Sequence, residues 1–176
     1  DGYFTLHVGH LREGELQLGT LVTARVDGDR RHGIQRAHSA THLLHHALRK
    51  LLGQHAEQQG SKVDQDILRF DFTNLSPVDP AQLTKIATDV SRYVESPAPV
   101  KWETLPLADA RKQGAMMLFG EKYPDPVRMV SMGPLAAGVI SRELCGGTHL
   151  TSTTEVGEFE ILSEEGVSAG TRRITA

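Results

Sequence analysis

Apolar and polar residues alternate over residues 3–8 (YFTLHV) and 16–26 (LQLGTLVTARV), with Glu13-Gly14 as turn material between them. Alternation with β-branched residues predicts two or three short strands, here part of a small β-barrel segment over residues 1–33. Asp27-Gly28-Asp29 marks its exit, with a boundary near Gly33. The period then changes. From about Ile34 to Leu52, Ala40, Leu43, Leu44, Ala47, Leu48, Leu51 and Leu52 fall on one helical face, and Gly53 supplies a stop. Residues 66–73 (DILRFDFT) alternate as a strand. Asp79 before Pro80 is a helix cap, followed by an amphipathic helix through Leu83, Ile86, Ala87, Val90 and Val94 that Ser96-Pro97-Ala98-Pro99 ends.

Further strands are predicted at residues 100–104 (VKWET) and 127–132 (VRMVSM), and a short helix from Leu107 to about Gly114. Residues 157–162 (GEFEIL) and 170–174 (GTRRI) read as a closing strand pair. Helices and strands are mixed without strict alternation. The class is therefore α+β, a mixed or antiparallel sheet packed by helices.

Composition narrows the setting. At 176 residues, 39% hydrophobic and 23% charged, the chain fits one domain, or a domain with a small appendage, and can bury a core. It holds no apolar run near the roughly 20 residues of a membrane span, and no secretory signal pattern, so no membrane partner is expected. One cysteine fits a reducing, cytoplasmic location. The absence of an initiator methionine suggests a piece of a longer protein. The net charge of −3 is not that of a domain gripping a phosphate backbone unaided. A nucleic acid would be held by local patches, of which Arg30, Arg31 and Arg36 form one and Arg172-Arg173 another.

The chemistry concentrates in two short segments. His38 and His42 stand four residues apart on the predicted helix, with His45, opposite the leucine face. That spacing lets two imidazoles reach one ion, although His42 and His46 share it. The sole cysteine, Cys145, precedes His149 by four positions across Gly146-Gly147, whose freedom lets both side chains aim at one point. Imidazole and thiolate donors suit zinc, so His38, His42, Cys145 and His149 are the candidate ligands. Three ligands would leave an open position and four would close it; spacing does not choose between them.

Five motifs occur in order: residues 36–45 (RAHSATHLLH), 58–61 (QQGS), 68–72 (LRFDF), 114–123 (GAMMLFGEKY) and 143–149 (ELCGGTH). Together they resemble the editing domain of alanyl-tRNA synthetases, from about residue 34 to the end, with residues 1–33 similar to the β-barrel that precedes it. The departures are Ala37, where the family usually has asparagine, and Thr171, often valine. The related threonyl-tRNA synthetase editing domain typically carries arginine and proline where this chain has Gly146 and Thr148.

The resemblance implies hydrolysis of the ester joining serine or glycine to the acceptor end of alanine tRNA, with the other domains of a parent synthetase as partners. A pocket shaped for alanine cannot strongly reject glycine or an analogue adding one hydroxyl, so a second site must. It places Zn²⁺ on His38, His42, Cys145 and His149, and catalytic roles on Thr41, beside the metal, and Gln58. Arg69, Lys122 and Arg172 become candidate tRNA contacts. No Asp or Glu stands out as general base, which leaves activated water, a site histidine or the substrate's ribose hydroxyl. The rivals are a free-standing trans-editing deacylase and a structural zinc module that binds tRNA without catalysis.

Overall fold

A computed structural model describes residues 6–118, 121–133, 138 and 140–176. Tyr3 to Thr5 of the first predicted strand, and Phe119-Gly120 of the fourth motif, lie outside the described residues. The fold is α+β, as the hydrophobic pattern predicts. Its elements are α1 (Gly28–Leu52), β1 (Gln58–Val63), β2 (Leu68–Thr73), α2 (Pro80–Glu95), β3 (Val100–Leu105), α3 (Leu107–Lys112), β4 (Val127–Met132), β5 (Ser141–Leu144), a 3₁₀ turn (Thr153–Val156), β6 (Ser163–Ser168) and β7 (Thr171–Thr175). One antiparallel sheet runs β1-β2-β7-β6 and a second β3-β4-β5.

Helix α1 is the spine. Leu43, Leu44, Ala47 and Leu48 are fully buried and share one core with Phe70 and Phe72 of β2, Ile174 of β7, Ile86 and Val90 of α2, and Val130 and Met132 of β4. Each large apolar side chain withdrawn from water there contributes about 1.5–3 kcal/mol before entropy is counted. In β2 the alternation is explicit, with Leu68, Phe70 and Phe72 inward and Arg69, Asp71 and Thr73 turned away. A second, smaller cluster of Leu105, Ala110, Val127 and Met129 packs α3 on the other face of the three-stranded sheet. Its first face is left to meet α1.

Three expectations need correction. No strand forms among residues 6–26, and Leu6, Val8, Leu16, Leu18, Leu21 and Val22 stand exposed. A strand requires a hydrogen-bonding partner, and none of the described residues pairs with this segment. Helix α1 begins at Gly28, not Ile34, because the Asp27 carboxylate accepts the Arg30 N–H at 3.0 Å as an N-cap. Gly33 thus lies inside the helix, against the Gln65 backbone that leaves no room for a Cβ. Finally, the closing hairpin is residues 163–168 with 171–175, not 157–162. Phe159 and Ile161 of that segment pack on the core from outside a ladder. Strands β1 and β5 and the 3₁₀ turn are additions the apolar pattern did not reveal.

Candidate metal centre and cleft

Two elements converge to build the site. Helix α1 presents His38 and His42, and β5 ends by delivering Cys145 into the loop that reaches His149. One ligand atom from each of these four residues lies within 4.8 Å of the others. Cys145 Sγ is 3.4 Å from both His38 Nε2 and His149 Nε2. For tetrahedral coordination with metal–nitrogen distances of about 2.0–2.1 Å and metal–sulfur of about 2.3 Å, neighbouring donors should stand about 3.5 Å apart. The set fits a metal ion. Of the two histidine pairs on α1, the structure brings His38/His42 to the centre, while His46 packs edge-on against Tyr93.

The far side of each imidazole is also held. His42 Nδ1 faces Glu143 Oε2 at 3.5 Å, His149 Nδ1 faces the buried Ser39 hydroxyl at 3.3 Å, and the His38 ring meets the Thr148 backbone. The contacts of His149 and His38 place the proton away from the centre and aim the other nitrogen's lone pair into it, while His42 Nδ1 makes no hydrogen bond and has the Glu143 carboxylate facing it. Ser39 also accepts the Leu150 N–H at 3.2 Å, and Gln35 donates to the His149 carbonyl at 3.0 Å. Arg128 ties the loop down, donating to the carbonyls of Cys145 and Gly147 at 2.8 and 2.7 Å. Gly147 passes so close to His38 that a Cβ would enter the imidazole ring.

Electrostatics favour neutral imidazoles. Burial, then repulsion from His42, lowers His38 to about 4; burial with His42 and His38 lowers His149 to about 2. Burial likewise lowers His42. It raises the Cys145 thiol, since burial disfavours the charged thiolate.

Glu143 is the residue sequence reasoning missed. It is buried, and burial alone would raise its carboxyl. His42, His45 and the Ser141 hydroxyl outweigh that and hold it at about 2. Ser141 donates to Oε1 at 2.8 Å, and His45 Nδ1 lies 3.4 Å from the same oxygen. The carboxylate stands between His42 and His45, facing both imidazoles at 3.5 and 3.4 Å. His45, aligned with the ligands in the sequence, belongs to this pair and stacks near Phe70 at 5.2 Å. The available signal was its place two residues before Cys145, which puts it on the Cys145 side of a β-strand.

Beside the metal centre opens a cleft of about 290 Å³, walled by His42, His45, Thr41, Gln58, Met116 and Cys145 among others. Thr41 and Gln58 are therefore brought to the site. The Thr41 hydroxyl donates to the Ala37 carbonyl at 2.8 Å, leaving its oxygen free to accept. Gln58 Nε2 donates to Ser61 at 3.0 Å, which directs the amide oxygen elsewhere. Of the candidate tRNA contacts, Arg69 and Lys122 are exposed outside the cleft wall. Arg172 forms a two-pronged ion pair with Glu164 at 2.6 and 2.8 Å, and Arg173 does the same with Asp71. That basic patch is internally neutralised.

Residues 127–175 match the family model described as the threonyl and alanyl tRNA synthetase second additional domain. The chain is 58% identical over 171 residues to an alanine–tRNA ligase of Rhodopirellula baltica, covering 97% of the chain and 18% of that relative. It is 51% identical over 172 residues to the alanine–tRNA ligase of Thermus thermophilus, and 46% over 170 residues to that of Methylibium petroleiphilum, in each case 97% of the chain and 19% of the relative. The chain spans about a fifth of the length of the relatives it matches.

Proposed function

We propose that this chain, which is similar to alanine–tRNA ligases over 97% of its length, is an alanyl-tRNA synthetase editing domain whose cleft hydrolyses the ester linking serine or glycine to alanine tRNA. The observation that carries the reading is the opening of the cleft onto His38, His42 and Cys145, three of the four residues whose donor atoms share one centre. Zn²⁺ is the ion this donor set favours. When bound, it supplies Lewis-acid polarisation or a grip on the substrate amine.

The chain's own residues do the rest. Thr41 has spent its proton on Ala37, so its oxygen meets a hydroxyl donor on the substrate side chain. Serine offers that donor and alanine does not, which separates the serine ester from the correct one. Gln58 presents its amide oxygen to the attacking water or the substrate amine. Glu143 acts as a positioning residue, keeping the His42 proton on Nδ1 and thus Nε2 turned to the centre. The acceptor end of the tRNA, brought by other domains of a parent synthetase, is the partner that this reading requires. The chain's −3 charge is consistent with weak binding of tRNA by this segment alone.

Deacylation of Ser-tRNA and Gly-tRNA specific for alanine tests the proposal, comparing the chain with Cys145→Ala. The variant should lose at least about tenfold in rate, since disturbing even the outer contacts of a metal site costs about 10–100-fold. Equal rates, or an inactive parent chain at high concentration, would overturn it. Metal retention with undiminished deacylation in Thr41→Val and Gln58→Ala would instead leave these two residues no role.

A further inference from the structure

Trp102 is the sole tryptophan of the chain, and it stands 63% exposed on β3, an edge strand. Its register explains where it points. Trp102 pairs with Val130, and Val130 with Glu143, so all three occupy one face of the sheet, the face that carries the metal centre. One side of the indole is covered by the Arg128 guanidinium, 5.0 Å from a ring centroid. The same guanidinium holds the carbonyls of Cys145 and Gly147. Arg128 makes no ion pair among the described residues, so its charge is uncompensated there. A depression of about 340 Å³ runs from Trp102 and Arg128 along the Gly146–Thr148 loop to His149.

We propose that Trp102, backed by Arg128, is a stacking platform for an unpaired nucleobase of the RNA whose aminoacyl ester enters the neighbouring cleft. The inference rests on the editing reading for the identity of the RNA, but not for the stacking. An exposed indole offers a flat apolar face to any base, and an unpaired guanidinium attracts the phosphate that accompanies it. A protein partner would find the apolar ring but no reason for the uncompensated charge beside it. Because Arg128 also fixes the loop that carries two ligands, a stacked strand is tied to the metal centre through one side chain. The platform aligns the strand whose terminal ester must reach Cys145 and His149.

With a single tryptophan, fluorescence excited at the red edge, where the tyrosines do not absorb, reports on this position alone. The metal-loaded chain is titrated with a short single-stranded RNA carrying the sequence of a tRNA 3′ end, and with a blunt duplex of the same bases. Saturable quenching by the single strand, much weaker with the duplex, is the expected result. In deacylation, Trp102→Leu should raise KM for an aminoacylated RNA by about 5- to 100-fold, the range of base–aromatic stacking. Trp102→Phe should restore most of that loss, and both variants should keep the metal content and thermal midpoint of the parent. Absence of quenching, equal quenching by the duplex, or an unchanged KM in Trp102→Leu would overturn the platform. Quenching without any deacylation by the parent chain would refute the editing reading and leave the platform standing.

Discussion

Gly146 and Gly147 are adjacent, chemically identical and oppositely constrained. A Cβ on Gly146 meets open space, whereas one on Gly147 drives into the His38 imidazole. Gly147→Ala should therefore push His38 out of the donor set and weaken metal binding by about 100-fold or more, while Gly146→Ala leaves it within about twofold. Metal-affinity titrations of the two variants check this; equal affinities would contradict the packing described. Residue-scale legibility follows the same logic. The grouping of the four candidate ligands was readable because i, i+4 spacing on a helix and across a glycine pair is local geometry. Glu143 was not, because its role depends on α1 bringing His42 and His45 against the β5 strand. Thr41 was readable as a site residue beside His42, but its donation to Ala37, which makes it an acceptor, is visible only in the fold.

At the scale of elements, α2 was read nearly to the residue because its start is chemically marked. Asp79 accepts the Ala81 N–H at 2.8 Å, and Gln82 reaches back to the Asp79 N–H in a capping box. Asp79→Ala should lower the stability of the chain by about 1 kcal/mol without altering metal affinity, because the cap is remote from the ligands. Chemical denaturation checks the first half and metal titration the second. Asp27 carries the same signal for α1, but the glycine after it and Gly33 read as loop. The Asp27 cap and the close seat of Gly33 on the Gln65 backbone carry the helix through those positions. The misplaced strand at 157–162 fails for a related reason: Phe159 and Ile161 advertise a buried face, but a ladder is decided by partners. β7 takes the polar 163–168 segment instead, where Glu164 pairs with Arg172. Polar β1 is likewise legible only through its pairing with β2.

For the molecule as a whole, the cluster of histidines with Glu143 sets how stability responds to pH. Three imidazoles, His42 buried and His38 and His149 half-buried, lie between α1 and the β5 loop, with His38 lowered to about 4 and His149 to about 2. In the unfolded chain a histidine titrates near about 6.5. Between these values the unfolded chain binds protons that the folded chain refuses, so acid favours unfolding. Glu143, held at about 2 against an ordinary 4.5, adds a stabilisation present above the ordinary value and lost as the pH falls below it. Both contributions have the same sign. The thermal midpoint of the metal-free protein should be level above about pH 6.5 and fall steadily from there to pH 4. Calorimetry of His38→Ala isolates the effect: removing that imidazole should make the fall shallower, because one proton-binding difference between the two states is gone. On the proposed metal site, adding Zn²⁺ should raise the midpoint at neutral pH, and that gain should shrink in acid as protons compete for the same nitrogens. A metal-free midpoint unchanged from pH 7 to 4, or a parallel fall in His38→Ala, would show that these imidazoles are not held as neutral groups.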